Sequence, residues 1–417
     1  MRWPSQWQNP SALALLRGTG INYLLFDKNA ELDAVMVAAR RQGIQVDEPA
    51  SATAEIKTIT GLWPGARLSQ AGDADRVSTG PTGLPWVDSN GWRVRVASAL
   101  NPLHAIWVDA QPTSPTPGSY PLCVADTAAC GGRWIVTLDN RLASGIAGGN
   151  RDALDTWRSL GSATSFFAAH SHWADYVPEA VIGIISNFSS KNESQEFLNL
   201  LTRTTEQYRL IPKMKFSASS LNGLRAVLWY DADPPGRDAR KQILDFVARG
   251  GLLIARPGWG DMPGLPDRWD YPRYTLRLFE KGRIAIAKSA DTADPYLLAS
   301  DTVVLVSHRY DLLRFWDAGA VGAYLSAAPS HDRALVQMLF FARAMNGKAS
   351  KGGPQTATVE VAGRYQTAKL LTPDESVTLH ELSGSKAGTE VGMEIKSQTV
   401  ELHLPPLSYY GALELAG

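Results

Sequence analysis

The chain has 417 residues, more than one ordinary hydrophobic core accommodates, so two or three domains are expected. Hydrophobic residues make up 44% and charged residues 20%, the balance of a soluble globular protein. Lys+Arg and Asp+Glu stand at 41 each, which removes the electrostatic argument for a nucleic-acid or anionic-membrane partner.

In chain order, Asn9 and Pro10 read as an N-cap and first helical residue, with a short helix ending at Gly18. Residues 21–27 (INYLLFD) read as a strand. Residues 29–42 repeat Leu32, Val35, Met36 and Ala39 at helical spacing up to Gly43, and IQVDE follows as a strand. This β-α-β order predicts a parallel sheet. Residues 54–68 hold a strand or two, broken at Gly61 and Pro64, and 72–85 form a polar loop. Ser89 or Asn90 caps a helix with Val94, Ala97 and Leu100 on its apolar face, which Asn101-Pro102 ends before the strand 104–109. After the loop QPTSPTPGS comes a helix carrying both cysteines. Cys123 and Cys130 lie about 10 Å apart at 1.5 Å per residue, too far for a disulfide. The strand 133–139 and a helix from 150 to 174 complete the region.

A second unit begins near Val181. The strand VIGIISNF, a helix at 192–208, the strand AVLWYD, the Pro-opened helix RDARKQILDFVARGG and the strand LLIAR predict a doubly wound α/β sheet. Further strands are expected at 282–286 and 302–307, and a helix at 332–345. Beyond Gly347 the linker KASKGGPQT leads to alternating segments of a small β-domain.

Strands of the first region repeatedly end in acid: LLFD27, IQVD47, IWVD109 and VTLD139, with PWVD88 in a loop. Helix capping accounts equally well for Asp27 and Asp47. Asp109 precedes a Pro-rich loop and Asp139 precedes NRLASGIAGGN, where capping is the weaker reading. Nine of the thirteen Trp fall within the first 173 residues, which fits core packing and also stacking platforms for sugar rings, whose C–H faces pack on aromatic planes.

The three-part order, with its centre at AVLWYDADPPGRDARKQILDFVARGGLLIARPGWG, resembles the β-galactosidase-like glycoside hydrolases of the family 42 type. The resemblance implies an α/β chain with a reduced (β/α) TIM-like barrel over 1–177, a non-catalytic glutamine-amidotransferase-like domain over 178–347 and a C-terminal β-sandwich over 355–417. It also implies trimerisation, a carbohydrate substrate, and neither cofactor nor metal. Such enzymes carry two catalytic Glu, one after an Asn. The first region has only Glu31, Glu48 and Glu55 and no Asn-Glu pair, so only the paired-carboxylate chemistry carries over. Asp139 is then the expected nucleophile or base, with Asp109 or Asp88 as general acid. Trp63, Trp86, Asn90, Trp107, Asn140 and Glu48 are the expected sugar contacts, and Trp92 and Trp134 belong to the core.

Alternatives stay open: a glycan-binding protein of the same architecture, or a lyase of uronic-acid polymers. The amidotransferase-like segment has no cysteine nucleophile. His170 and His172 lack a metal-ligand partner at ordinary spacing, and Ser307, His308, Arg309 and Asp311 read as loop and cap hydrogen bonding. Asn187 and Asn192 match the glycosylation sequon. The opening MRWPSQWQ lacks a signal peptide's apolar core. The expectation is a secreted or periplasmic protein with its leader removed, the alternative a cytoplasmic one.

Overall fold

The structure, a computed structural model, describes residues 1–27, 30–47, 55–66, 86–188, 193–269, 271–290, 294–342, 356–374, 381–383 and 392–417. In the N-terminal unit the strands are short and parallel. Tyr23–Leu25 pairs with Gln45–Asp47, and Ala105–Asp109 lies between Ile56–Thr60 and Arg133–Trp134. Residues 1–3 join the two groups. Arg2 bridges to Leu25, Trp3 N donates to the Leu25 carbonyl at 2.9 Å, and Arg2 N donates to that of Val136 at 2.8 Å. Hydrogen bonding therefore runs unbroken from 45–47 through 23–25, 1–3, 133–136 and 105–109 to 56–60. Among the described residues this ribbon does not close into a ring.

Alternation gives the ribbon two faces. Ile106 and Val108 meet Val94 and Ala97 of the helix Gly91–Leu100, whereas Trp107 faces Leu25 and Ile135 on the other side. Much of the Trp excess is structural. Trp3, Trp7, Trp157 and Trp173 are buried, and each indole N–H donates within the protein, to the carbonyls of Trp7, Ala143 and Leu15 and to Glu414 Oε1. Burying an indole without such a partner costs free energy, so these rings are fixed in place.

The middle unit has a seven-stranded sheet. Ile182–Ser186 lies between Tyr208–Pro212 and Ala226–Trp229, followed by Leu252–Ala255 and Gly282–Ala287, all parallel; Tyr274–Phe279 and Leu265–Pro266 add antiparallel strands. The parallel part has the 2-1-3-4-5 order of a doubly wound sheet. Ile182–Ser186 and Ala226–Trp229 are buried throughout, because helices Glu193–Arg203 and Pro295–Val306 cover one face and Arg237–Ala248 the other.

Two expected elements change type. Residues 302–307, read as a strand, are the end of the helix Pro295–Val306, which Asp294 caps by accepting from Tyr296 N at 2.9 Å. Residues 332–345, read as a helix, contain the strand Arg333–Phe340. Its run ALVQMLF is apolar without alternation because both faces are covered, a pattern that helix and buried strand share. It sits between Val321–Ala327 and Tyr410–Ala416 in a six-stranded antiparallel sheet that also takes Val177–Pro178, Thr367–Leu371 and Glu381–Ser383. A four-stranded sheet of Leu313–Trp316, Ala357–Ala362, Thr399–Leu404 and Gly392–Ile395 packs against it. This β-sandwich thus draws strands from within 178–347 as well as from the C-terminal stretch.

Candidate functional site

The residues singled out from the sequence fall into four places. The first is the inner face of the N-terminal ribbon. Trp107 and Asp109, two residues apart on one strand, point to the same side, and Tyr23 meets Trp107 edge to face at 4.8 Å. The Arg2 guanidinium reaches both Asp109, at 2.8 Å, and Asp27, at 3.2 Å. Tyr23 donates its hydroxyl to Asp47, and burial, reinforced by that bond, pushes the Tyr23 phenol up to about 12. Three strand-end acids therefore gather around one arginine and one tyrosine. Among the described residues, three buried polar atoms here have no hydrogen-bond partner: Asp109 Oδ1, Trp107 Nε1 and Arg2 Nε. An acceptor and two donors left unsatisfied within one cluster are costly to fold unless something else engages them.

The second place surrounds Asp139. It is the N-cap of the helix Asn140–Ala147, its Oδ1 accepting from Arg141 N at 2.7 Å and Leu142 N at 3.0 Å, while Tyr120 donates its hydroxyl to Oδ2. Partial burial works toward a higher value, but these donors hold the carboxyl below the ordinary aspartate range. The capping reading judged weaker from the sequence is thus the one the structure contains. Tyr120 carries Trp63 on its edge at 5.3 Å, and Trp63 donates to Ser119 Oγ at 3.0 Å and meets Trp134 at 5.7 Å. Asn140, exposed, begins the helix.

The third place is buried. Asn90 does not cap its helix through its side chain; it clasps Leu62 instead, accepting from Leu62 N at 2.9 Å and donating to the Leu62 carbonyl at 2.8 Å. Beneath it lies Asp126, which accepts from Ser89 Oγ at 2.5 Å and Asn90 N at 2.6 Å. Burial pushes the Asp126 carboxyl up to about 6 against the pull of these donors. Asn90 is therefore a structural residue, holding the loop that carries Trp63. Asp88 is half-buried in the short pairing of Val87–Asp88 with Gly65–Ala66.

The fourth place holds Trp86, one of the expected sugar contacts. Its ring lies against the middle unit, 5.9 Å from that of Tyr296 and 5.3 Å from the Arg203 guanidinium. Glu48 lies outside the described residues. In this way Trp107 joins Asp109, Trp63 joins Asp139 through Tyr120, and Trp86 joins neither.

No protein-family model and no curated protein matches the sequence. Solved structures do match. The α-L-fucosidase isoenzyme 2 from Paenibacillus thiaminolyticus aligns with a TM-score of 0.52 at 10% identity, over 98% of this chain and 80% of its own. A β-galactosidase from Bacillus circulans sp. alkalophilus aligns at 0.46 and 11%, over 75% of this chain and 60% of its own. A β-galactosidase from the haloarchaeon Halorubrum lacusprofundi gives 0.40 and 13%, over 93% and 64%. The fold is glycoside-hydrolase-like.

Within that fold, sequence reasoning overlooked Arg2, Tyr23, Tyr120 and Asp126. Asp126 had a signal, as the one acid in the apolar helix LCVADTAAC, which implies a buried carboxylate. Arg2 had none, because its partners lie 25 and 107 positions away. In the middle unit Asp231 follows the strand Ala226–Trp229 and accepts from Ser186 Oγ at 2.5 Å, Asn187 N at 2.9 Å and Lys213 Nζ at 2.7 Å. No cysteine stands there; both are free thiols of the N-terminal unit. His170 is packed between Phe166 and Trp173 at a helix end.

Proposed function

We propose that the chain is a glycoside hydrolase that cleaves an oligo- or polysaccharide with paired carboxylates on the inner face of a reduced (β/α) barrel. The observation that carries the reading is the buried, unpartnered Oδ1 of Asp109 beside the unpartnered indole N–H of Trp107, at the C-terminal end of a parallel strand. In α/β folds ligands bind at that edge. Trp107 is buried, so it presents no open stacking face.

Hydrolysis needs one carboxyl to protonate the leaving oxygen as the C–O bond breaks and another to attack the anomeric carbon or take a proton from water. Arg2 binds Asp27 and Asp109 at 3.2 and 2.8 Å, and sharing one guanidinium holds the two carboxyls closer than the upper limit of about 9.5 Å that glycosidases use. Asp27, which capping could equally explain in the sequence, thereby enters the candidate pair. Asp139 is assigned to cap its helix and position Tyr120, and Trp63 with Asn140 to the outer rim.

The test is a screen of poly- and oligosaccharides for new reducing ends, with Asp109→Asn alongside. The expected loss in that variant is about 10²- to 10⁴-fold, with glycan binding retained. The second reading is a glycan-binding protein without catalysis, favoured by the two ion pairs that neutralise the acids through Arg2. Binding with no cleavage by the parent protein establishes that reading instead, and release of unsaturated, ultraviolet-absorbing products establishes a lyase.

A further inference from the structure

Away from the ribbon, Glu206, His308 and Asp311 each place one ligand-type atom within 4.8 Å of the others. Glu206 lies in the turn between the helix Glu193–Arg203 and the strand Tyr208–Pro212. His308 opens the turn His308–Tyr310 that follows the helix Pro295–Val306, and Asp311 ends it. The three come together where the middle unit meets the β-sandwich. Next to Glu206, Gln207 accepts from Leu325 N at 2.8 Å and donates to the Ala323 carbonyl at 3.1 Å, and Arg314 belongs to the sandwich strand Leu313–Trp316.

The charges at this junction are unevenly met. Asp311 Oδ2 accepts from Arg314 Nε at 3.2 Å and faces His308 Nδ1 at 3.0 Å, but Asp311 Oδ1 is buried and, among the described residues, has no hydrogen-bond partner. Glu206 is only 7% exposed, and its carboxyl group faces that of Asp311. Two carboxyl groups facing each other away from water are expensive to keep charged. Arg314 also donates to the His308 carbonyl and leans toward Glu360 at 3.9 Å, so its charge is shared outward. His308 is largely exposed and presents an imidazole at the mouth of the pair.

We propose that Glu206, His308 and Asp311 bind one divalent transition-metal ion, with zinc the fitting occupant, and that the ion fastens the middle unit to the β-sandwich. Two carboxylates and an imidazole make a three-ligand site with a place left for water, and the imidazole favours zinc over magnesium, calcium and manganese. Two positive charges would answer the two carboxylates where a single shared arginine does not.

The test uses the full chain stripped with a chelator, titrated with zinc chloride by calorimetry, with bound metal counted by elemental analysis and thermal midpoints read with and without zinc. One zinc per chain and a raised midpoint are expected. Glu206→Gln and His308→Ala should each weaken binding at least tenfold and remove the rise in midpoint. His308 is exposed, so its variant keeps the fold and serves as the control should Glu206→Gln not fold. Absence of saturable zinc binding overturns the proposal, as does zinc binding that His308→Ala leaves unchanged.

Discussion

Asp126 and Asp139 show how one residue type acquires opposite chemistry from its surroundings. Asp126 is fully buried, and its carboxyl is raised from 3.8 to about 6. Because the folded state holds this proton more tightly than the unfolded chain, stability falls as pH rises from about 4 through about 6, by about 3 kcal/mol from this group. Asp126→Asn should remove that component, so urea unfolding at pH 4.5 and 7.5 should give a smaller difference than in the parent protein. An unchanged difference assigns the pH dependence to other groups. Asp139 shifts the other way, held charged by capping N–H groups and Tyr120. Asp139→Ala should lose about 1 kcal/mol of stability, measured by thermal unfolding, while Asp139→Asn, a good N-cap itself, should lose little. If Asp139→Asn abolishes glycan cleavage while remaining stable, Asp139 is a reacting group and the assignment made above to Asp109 fails.

At the scale of elements, the strand Ala105–Asp109 was readable because its alternation is decisive: Ile106 and Val108 turn to a helix, Trp107 and Asp109 to the inner face. The strand Arg333–Phe340 was not, because alternation disappears when both faces are buried. Its Leu335 is fully buried and packs with N-terminal residues, whereas its neighbour Val336 belongs to the sandwich core. Leu335→Ala should cost about 2–5 kcal/mol through the cavity it leaves, checked by chemical denaturation. The same ambiguity hid the helix Pro295–Val306, whose β-branched run TVVLV reads as a strand until Asp294 and Pro295 are recognised as its start.

For the whole molecule, the three units share cores as well as linkers. Leu335, Leu339, Phe341, Tyr409, Tyr410 and Ala412 belong to one apolar cluster with Trp3, Trp7 and Trp157. Gln337 donates to the Ala129 carbonyl at 3.0 Å and accepts from Tyr410 at 2.8 Å, and Asn199 donates to the Val87 carbonyl at 2.9 Å. A chain truncated at residue 342 loses the strand Tyr410–Ala416 and exposes this cluster. It should therefore be insoluble or lack the cooperative thermal transition of the full chain, as scanning calorimetry can show. A truncated chain that unfolds cooperatively at the parent temperature would contradict a shared core. Among the described residues no helix is long and apolar enough to cross a membrane.

The sequence by itself determined most local elements and their order, failing at 302–307 and 332–345: helical spacing, strand alternation and Gly/Pro punctuation act over a few residues and need no partner. It also determined that strand ends of the first region carry acids. Only the tertiary structure decided which acids meet, because Arg2 reaches Asp27 and Asp109 across the ribbon while Asp139 turns to its own helix. It likewise decided that Trp86 packs on the middle unit and that Glu206 joins His308 and Asp311. Such pairings follow from where distant segments are placed, and local pattern carries no record of them.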